Sequence, residues 1–595
     1  MKKEFTGYPS LDLPHTKGSS FFERNPIVPS MDITTLINLI NRKNKDAIAI
    51  ICNELKATYR ELEEDGKTLE KAYRELGVKR GDIVTISLKS NYQALLSFIA
   101  LNSIGAVTTY VDTYSSEEDI IKYLNEYESP IFINYNATKE ENKKIKDNTK
   151  VKYIITLDEK NENNKDIFND YNINQSDYVI DFNTLGTISK YQNNRIYRPN
   201  KGNDNALILY TSGSSGKQKA VVLTNKNIIA AQMYAGNTSH TENITATRTM
   251  TCVPLRYPYG MVTSLLTSLL WNKTAIMTPD WDTKTVNYYL SKDPHIIFGS
   301  PAVLELVMRF VDEKADLSRI SHFISGGDFL TENHAERAYE FFKQHNNYTV
   351  EIGNGCGNAE TVSIGSTPVG VPLKQNTAGK ILVGSRAMII DSEVPDDKPI
   401  KDGNSIKENR YFEVGELCIS GKHVFKEYFN DPETTKKAKF IRNGVEYFRT
   451  GTLGYIDLDG YFVPTDRKSR FYIRSTGHKV YLDNVQKVIA TIDKRIVDTA
   501  AIEIPDDNEL FINKVYIVLE NGVLPTKELK EELMDKIYNS NAGQIKKLKE
   551  YELPKDIEFI DILPRRAGTE KIDYKALKEI DENLNNELTR KLKKH

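Results

Sequence analysis

At 595 residues the chain exceeds what a single hydrophobic core supports, so two or more domains are expected. Charged residues make up 27% and hydrophobic ones 39%, and the formal net charge is −2, which leaves no electrostatic case for nucleic acid or an anionic membrane. Cys52, Cys252, Cys356 and Cys418 are scattered without paired spacing, which argues against a disulfide framework or a cysteine-based zinc site and fits a reducing cytoplasm.

The opening stretch, Met1 to Pro14, has two lysines but no apolar run behind them, unlike a secretory signal. Apolar residues at helical spacing predict a helix from Tyr59 to Leu76, ending at Gly77. Strands follow at Asp82 to Leu88 and Ala106 to Val111, with a helix from Ala94 to Leu101 between them. The uncharged stretch Ser90 to Val111 is broken by Asn91, Gln93, Asn102 and Gly105, so a buried helix and strand are expected there and no membrane span. A strand at Ile131 to Tyr135 continues the alternation, which predicts an α/β sheet. From Asn136 to Asn205 the chain is rich in Asn, Lys and Asp and reads as a surface excursion, with short strands at Lys152 to Leu157 and Tyr178 to Phe182.

Next comes the most telling segment, Ala206 to Leu223. An apolar strand, Ala206 to Tyr210, feeds Thr211, Ser212, Gly213, Ser214, Ser215 and Gly216, then Lys217 and Lys219, then a second apolar strand, Ala220 to Leu223. Small residues let backbone N–H groups crowd an anion, hydroxyls add donors, and lysine supplies countercharge. The spacing is not that of a Walker A loop, because only two residues separate Gly213 from Gly216. A solvated Ser/Gly turn joins many hairpins; the flanking strands and two lysines favour a polyphosphate loop.

Alternation continues through Ile296 to Phe298 and Ile320 to Ser325, the latter closing on Gly326 and Gly327. From Gly379 to about Gly454 the pattern turns strand-rich, as in a β-barrel or sandwich subdomain. A small mixed unit begins near Arg470, with strands at Phe471 to Arg474, Thr499 to Ile504, Lys514 to Glu520 and Ile557 to Ile562. Its helices are expected at Asn484 to Thr491 and Thr526 to Tyr538. The basic end, Arg590 to His595, reads as a solvated tail.

Further motifs follow the loop in chain order. They are Asn354-Gly355-Cys356-Gly357-Asn358-Ala359-Glu360, Gly415 to Gly421 trailed by Tyr428 to Thr435, Arg449 to Asp457, Asp466-Arg467-Lys468, and Leu563-Pro564-Arg565 before Lys571-Ile572-Asp573-Tyr574. Together these resemble the adenylate-forming superfamily of acyl-CoA synthetases, luciferases and peptide-synthetase adenylation domains, over about Thr58 to Leu577, with a texture most like bacterial acyl-CoA synthetases.

The resemblance implies a multidomain α/β and α+β fold: a large AMP-binding body, 1–469, of α/β subdomains plus a β-barrel-like subdomain, and a small mobile α+β lid, 470–595, hinged at Arg470. It implies activation of a small carboxylic acid by ATP with Mg²⁺, then transfer from AMP to the thiol of CoA or of a carrier-protein phosphopantetheine. Thr211, Ser212, Gly213, Ser214, Ser215, Gly216 and Lys219 would hold the β- and γ-phosphates. Glu360 would help hold Mg²⁺, and Lys571 would reach the α-phosphate and the substrate carboxylate. Asn354, Gly355 and Cys356 would lie along the adenine, with Thr452 and Arg467 at the ribose. Gly477, His478 and Lys479 fall where a lid loop would enter the site for the second step.

The chain departs from the family pattern mainly around the nucleoside. Thr452 stands where the family has an aspartate, so charge-assisted bonds worth about 1.5–3 kcal/mol each are lost. Cys356 replaces an adenine-stacking aromatic residue, Ala359 a threonine and Asp466 a glycine, while Tyr257 takes the place of a histidine or aromatic near the acyl pocket. Arg566 to Glu570 is one residue longer than the common pattern. Arg256 to Gly260 offers no acid to hold an amino group, which argues against an amino-acid substrate. Three readings stay open: an acyl-CoA synthetase, a stand-alone enzyme loading a carrier protein, and a non-catalytic nucleotide- or acyl-binding relative.

Overall fold

The computed structural model describes residues 5–159, 178–188, 201–211, 218–239, 245–327, 330, 332–362, 365–396, 398–467, 470–473, 479–506, 510–539, 548–565 and 571–592. Two large, mostly parallel sheets form the first half. One has eight strands in the order Glu427–Tyr428, Ala220–Thr224, Asn205–Tyr210, Val107–Tyr110, Ile83–Ser87, Ile131–Tyr135, Tyr153–Leu157 and Val179–Asp181. The other has seven: Glu351–Asn354, His322–Ser325, Ile296–Gly299, Arg248–Thr251, Thr274–Met277, Ile48–Cys52 and Leu55–Thr58. Strands such as Ile296–Gly299 and Val107–Tyr110 are buried along their whole length, as parallel strands covered on both faces must be.

Local signals account for the helix that follows Leu55–Thr58. Thr58 and Glu61 form a capping box, Leu62, Leu69 and Tyr73 share the buried face, and Gly77 at φ 89° ends it. A Cβ on Gly66 would sit 2.9 Å from Ile99, so the missing side chain lets this helix pack closely on Tyr92–Ile104. The latter helix is buried all round, in a core shared by Ile50 and Ala275 of one sheet and Ile86 and Leu207 of the other. No helix among the described residues is long and apolar enough to cross a membrane.

The strand-rich segment forms a five-stranded antiparallel sheet, Arg386–Ile390, Gly415–Ser420, Val445–Ile456 and Lys439–Arg442, with Phe462–Arg467 also on Val445–Ile456. After residue 470 the chain builds a three-stranded sheet from Ile496–Asp506, Leu510–Leu519 and Asp556–Phe559. Helices Leu482–Ile489, Lys527–Asn539 and Tyr574–Leu592 follow the same mixed pattern. Among the described residues its core clusters run from Tyr472 to Leu577.

Two expectations change. The segment from Asn136 to Asn205 is more than a surface excursion: Tyr153–Leu157 and Val179–Asp181 extend the eight-stranded sheet, and Lys139–Asn148 is a helix. Short apolar runs bury Ile154, Ile155 and Leu157 although most neighbouring residues are polar. The basic end is also not wholly a tail, because helix Tyr574–Leu592 carries its backbone through Arg590, Lys591 and Leu592; residues 593–595 lie outside the described residues.

Candidate active site

A cleft of about 2300 Å³ opens at the carboxyl ends of the parallel strands, where open α/β sheets bind ligands. Thr211, Lys219, Asn354, Gly355, Cys356, Glu360, Thr452 and Lys571 all line it. Ser212, Gly213, Ser214, Ser215, Gly216 and Lys217 lie outside the described residues. The base of their loop is closed on both sides: Thr211 N–H donates to Lys219 O at 2.9 Å, and Lys219 N–H to Thr211 Oγ1 at 3.0 Å.

Glu360 is one of several acids lining this cleft. It is 6% exposed; its Oε1 accepts from the Tyr428 hydroxyl at 2.6 Å and its carbonyl from Phe425 N–H at 2.7 Å. Tyr428 arrives on the edge strand Glu427–Tyr428, which pairs with Ala220–Thr224 directly after the Ser/Gly segment. The Lys219 ammonium stands 5.0 Å over the Tyr428 ring. Burial pushes the Glu360 carboxyl above its usual range, against the Tyr428 hydroxyl, its own backbone N–H and the Lys219 charge. A buried carboxylate on the cleft wall near Lys219 fits Mg²⁺, which binds through one or two carboxylates plus substrate phosphates.

A second wall carries the nucleoside candidates. Gly355 N–H donates to Ser325 O at 2.9 Å and Cys356 N–H to Ser366 Oγ at 3.3 Å, fixing the backbone after Glu351–Asn354. Asn358 Nδ2 donates to Thr450 O at 3.1 Å. The backbones of Thr452 and Arg467 pair in the ladder between Val445–Ile456 and Phe462–Arg467; Thr452 lines the cleft, while the Arg467 side chain lies outside the described residues. The turn before Thr452 rests on a buried ion pair: Arg449 Nη2 lies 2.6 Å from Glu416 Oε2, and Glu416 Oε1 accepts from Gly451 N–H at 3.2 Å.

Lys571 enters from the C-terminal part. Its Cε lies 3.8 Å from where a Cβ on Gly327 would be, an ordinary contact distance, and the φ of 86° at Gly327 is what suits glycine there. An antiparallel bridge pairs Arg565 with Ile572, and Asp573 N–H donates to Pro564 O at 2.8 Å. That bridge fixes the chain one residue after Lys571; the lengthened segment, 566–570, lies outside the described residues. Gly477 and His478 also lie outside them, while the Lys479 backbone pairs with Ile473.

Tyr257 lines the cleft with the Arg256 guanidinium 4.9 Å from its ring, and Arg256 is ion-paired with Asp112 at 3.0 Å. Two residues on, Tyr259 opens a π-helix, Tyr259–Leu266, a form frequent at functional sites. A Cβ on Gly260 would lie 2.3 Å from the carbonyls of Val253 and Pro254, so the helix start is pressed against that segment. The Tyr259 hydroxyl is within reach of two carbonyls, Ile324 O at 2.6 Å and Gly299 O at 3.1 Å, at the ends of adjacent strands. Its ring covers Gly326, where a Cβ would come within 2.9 Å.

Tyr428, Tyr259 and the Arg449–Glu416 pair have no assigned role in the sequence reading. Tyr428 and Glu416 stand inside recognisable motifs, but no local pattern joins either to its partner. Tyr259 carries no signal beyond being aromatic.

A model of the AMP-binding enzyme family matches residues 39–429. The chain is 24% identical over 570 residues to long-chain-fatty-acid–CoA ligase of Bacillus subtilis, covering 93% of this chain and 96% of that protein. It is 25% identical over 548 residues to D-alanine–D-alanyl carrier protein ligase of Streptococcus pneumoniae, covering 87% and 92%. A crystal structure of an anthranilate CoA ligase in complex with anthranoyl-AMP has the same mixed α/β multidomain fold, with a TM-score of 0.77 at 17% identity over 94% of this chain and 99% of that one. The chain belongs to the AMP-binding enzyme family, the adenylate-forming ligases.

Proposed function

We propose that the chain is an ATP-dependent, AMP-forming acid–thiol ligase that makes an acyl-CoA. A carboxylate oxygen attacks the α-phosphorus of ATP, the bond to the β-phosphate oxygen breaks, and pyrophosphate leaves. The thiol then attacks the acyl carbonyl and AMP departs. Two anions must meet in the first step, so fixed positive charge and N–H donors are the main requirement. The observation that carries the reading is the convergence of Lys571, Glu360, Lys219 and Thr211 on one cleft from distant parts of the chain.

In this proposal Thr211, the loop Ser212 to Gly216, and Lys219 bind the β- and γ-phosphates. Lys571 bridges the α-phosphate and the substrate carboxylate. Glu360, oriented by Tyr428, would hold Mg²⁺, whose charge would offset that of the phosphates. Asn354, Gly355 and Cys356 flank the adenine, and Thr452 and Arg467 the ribose. Residues 1–469 act as body and 470–595 as lid, with Lys487 of the lid donating to Thr465 O of the body at 2.7 Å.

Pyrophosphate release from ATP, measured across a panel of carboxylic acids, tests the reading. Acid-dependent release is expected, followed by a thioester when CoA is added; no release with any acid would leave only a binding protein. The similarity to a carrier-protein ligase favours a second acceptor, phosphopantetheine on a carrier, which the same assay separates by replacing CoA with the loaded carrier.

Two variants probe the pocket. Thr452→Asp restores a charged acceptor at the ribose position and is expected to tighten ATP binding by about tenfold, the equivalent of roughly 1.4 kcal/mol. Calorimetric titration measures it, and an unchanged affinity would put the ribose contacts elsewhere. Tyr259→Ala removes the ring that spans the strand ends over Gly326. Its kcat/KM is expected to shift towards bulkier acids by about 10- to 100-fold relative to the parent's preferred acid, read by competition between acids of graded size.

A further inference from the structure

We propose that Arg470 is a positioning residue for Lys571, acting through Tyr574; the inference rests on the ligase reading above. The Arg470 guanidinium carbon lies 3.6 Å from the centroid of the Tyr574 ring, a stacking distance. Its remaining edges are fixed as well: Nη1 pairs with Asp483, and Nη2 donates to Ala501 O at 2.7 Å. The Arg470 carbonyl accepts from Leu482 N–H at 3.1 Å. The Tyr574 hydroxyl in turn donates to Gln486 Oε1 at 2.9 Å, so the ring is held at its face and its tip.

Tyr574 is the first residue of the C-terminal helix, Tyr574–Leu592. Asp573 Oδ1 accepts from Lys575 and Ala576 N–H at 3.1 and 3.2 Å, capping that helix. Ile572 is 4% exposed in the core beside it. Lys571 therefore lies three residues ahead of a fixed helix start, and both line the cleft. The stack on Arg470 ties that start to residue 470, the proposed hinge. A long, flexible lysine gains its aim from such a base, and a displacement of about 1 Å in a reacting group lowers a rate by about 10²-fold.

Arg470, Tyr574, Gln486 and Lys571 line the same cleft. In our proposal the clamp serves adenylation and not the thioester step, because only the first needs Lys571 against the α-phosphate.

Two partial reactions and one chemical probe test it. Arg470→Ala is expected to lower acid-dependent pyrophosphate release by about 10²-fold in kcat, with KM for ATP and thioester formation from synthetic acyl-AMP and CoA within twofold of the parent. Tyr574→Ala should reproduce that split, and the double variant should be no worse than either single one. Arg470→Lys should recover less than a tenth of the lost rate, because an ammonium neither stacks nor bridges Asp483 and Ala501 O together. Equal loss in both partial reactions, or loss in neither, would overturn the proposal.

Labelling of Lys571 by an amine-reactive reagent, mapped by mass spectrometry on the full chain, is independent of activity. Its rate should change at least threefold in Arg470→Ala and in Tyr574→Ala; unchanged labelling would overturn the clamp. If the parent releases no pyrophosphate with any acid, the ligase reading fails by itself, and this labelling alone decides the clamp.

Discussion

Lys571→Ala should lower acid-dependent pyrophosphate release by about 10²- to 10³-fold while leaving the Kd for ATP within a few-fold of the parent. The lysine is expected to act on charge that develops as the carboxylate closes on the α-phosphate, so its loss falls on kcat more than on ground-state binding. ATP affinity would rest instead on groups of the body, Thr211, Lys219 and Glu360, which the substitution does not touch. Thioester formation from synthetic acyl-AMP should persist. Unchanged adenylation would mean that another cation does this work, and loss of ATP binding would mean that the lysine holds the ground state.

Glu360→Gln should move activity and stability in opposite directions. Activity is expected to fall by about 10²- to 10³-fold, because the glutamine cannot neutralise Mg²⁺. Stability of the ligand-free protein should rise by about 1 kcal/mol at neutral pH, or roughly 1 °C in apparent Tm for a body of this size. The reason is burial: the carboxyl sits above its usual range because its charged form is poorly solvated, while glutamine still accepts from the Tyr428 hydroxyl. The sign follows from proton counting. Between the unfolded and the raised folded pKa the folded protein holds more protons, so the parent loses stability as pH rises through that window. Below the unfolded value both carboxyls are neutral and the variant's advantage vanishes; it grows with rising pH and levels off above the folded value. Thermal melts of both proteins from pH 4 to 8 measure this, and a variant less stable at pH 7 would refute the argument.

Several parallel strands were legible because they are short apolar runs bounded by turn residues, and Ile131–Tyr135 carries the same bounds in sequence and structure, whereas the mostly polar Arg248–Thr251 was not read. Helix Tyr59–Glu75 was equally plain, with its capping box and terminal glycine. Tyr153–Leu157 was found but its place in the sheet was not, because a short strand amid Asn and Lys looks like loop until its pairing partners on both sides are known. Strand pairing is long-range, and periodicity is local.

The candidate site divides along the same line. Thr211, Glu360, Thr452 and Lys571 stand in contiguous motifs, so their residue types and spacing could be quoted. Their supports could not. The Tyr428–Glu360 bond spans 68 positions and the Arg449–Glu416 pair spans 33, distances at which no helical or strand period connects two side chains. The π-helix at Tyr259 was equally hidden, since its apolar residues suit an ordinary helix and only the crowding at Gly260 marks the difference.

The edge strand Glu427–Tyr428 has a consequence for biosynthesis. It joins Ala220–Thr224, Tyr428 lying opposite Val221, so a nascent chain must grow by about 200 residues after Thr224 before that pairing forms. Until then the hydrogen-bonding edge of Ala220–Thr224 stays bare, a template for association with other chains. A recombinant fragment cut before Glu427 would keep that edge permanently and would lack the hydroxyl that orients Glu360. Expression boundaries for the body therefore belong beyond this strand.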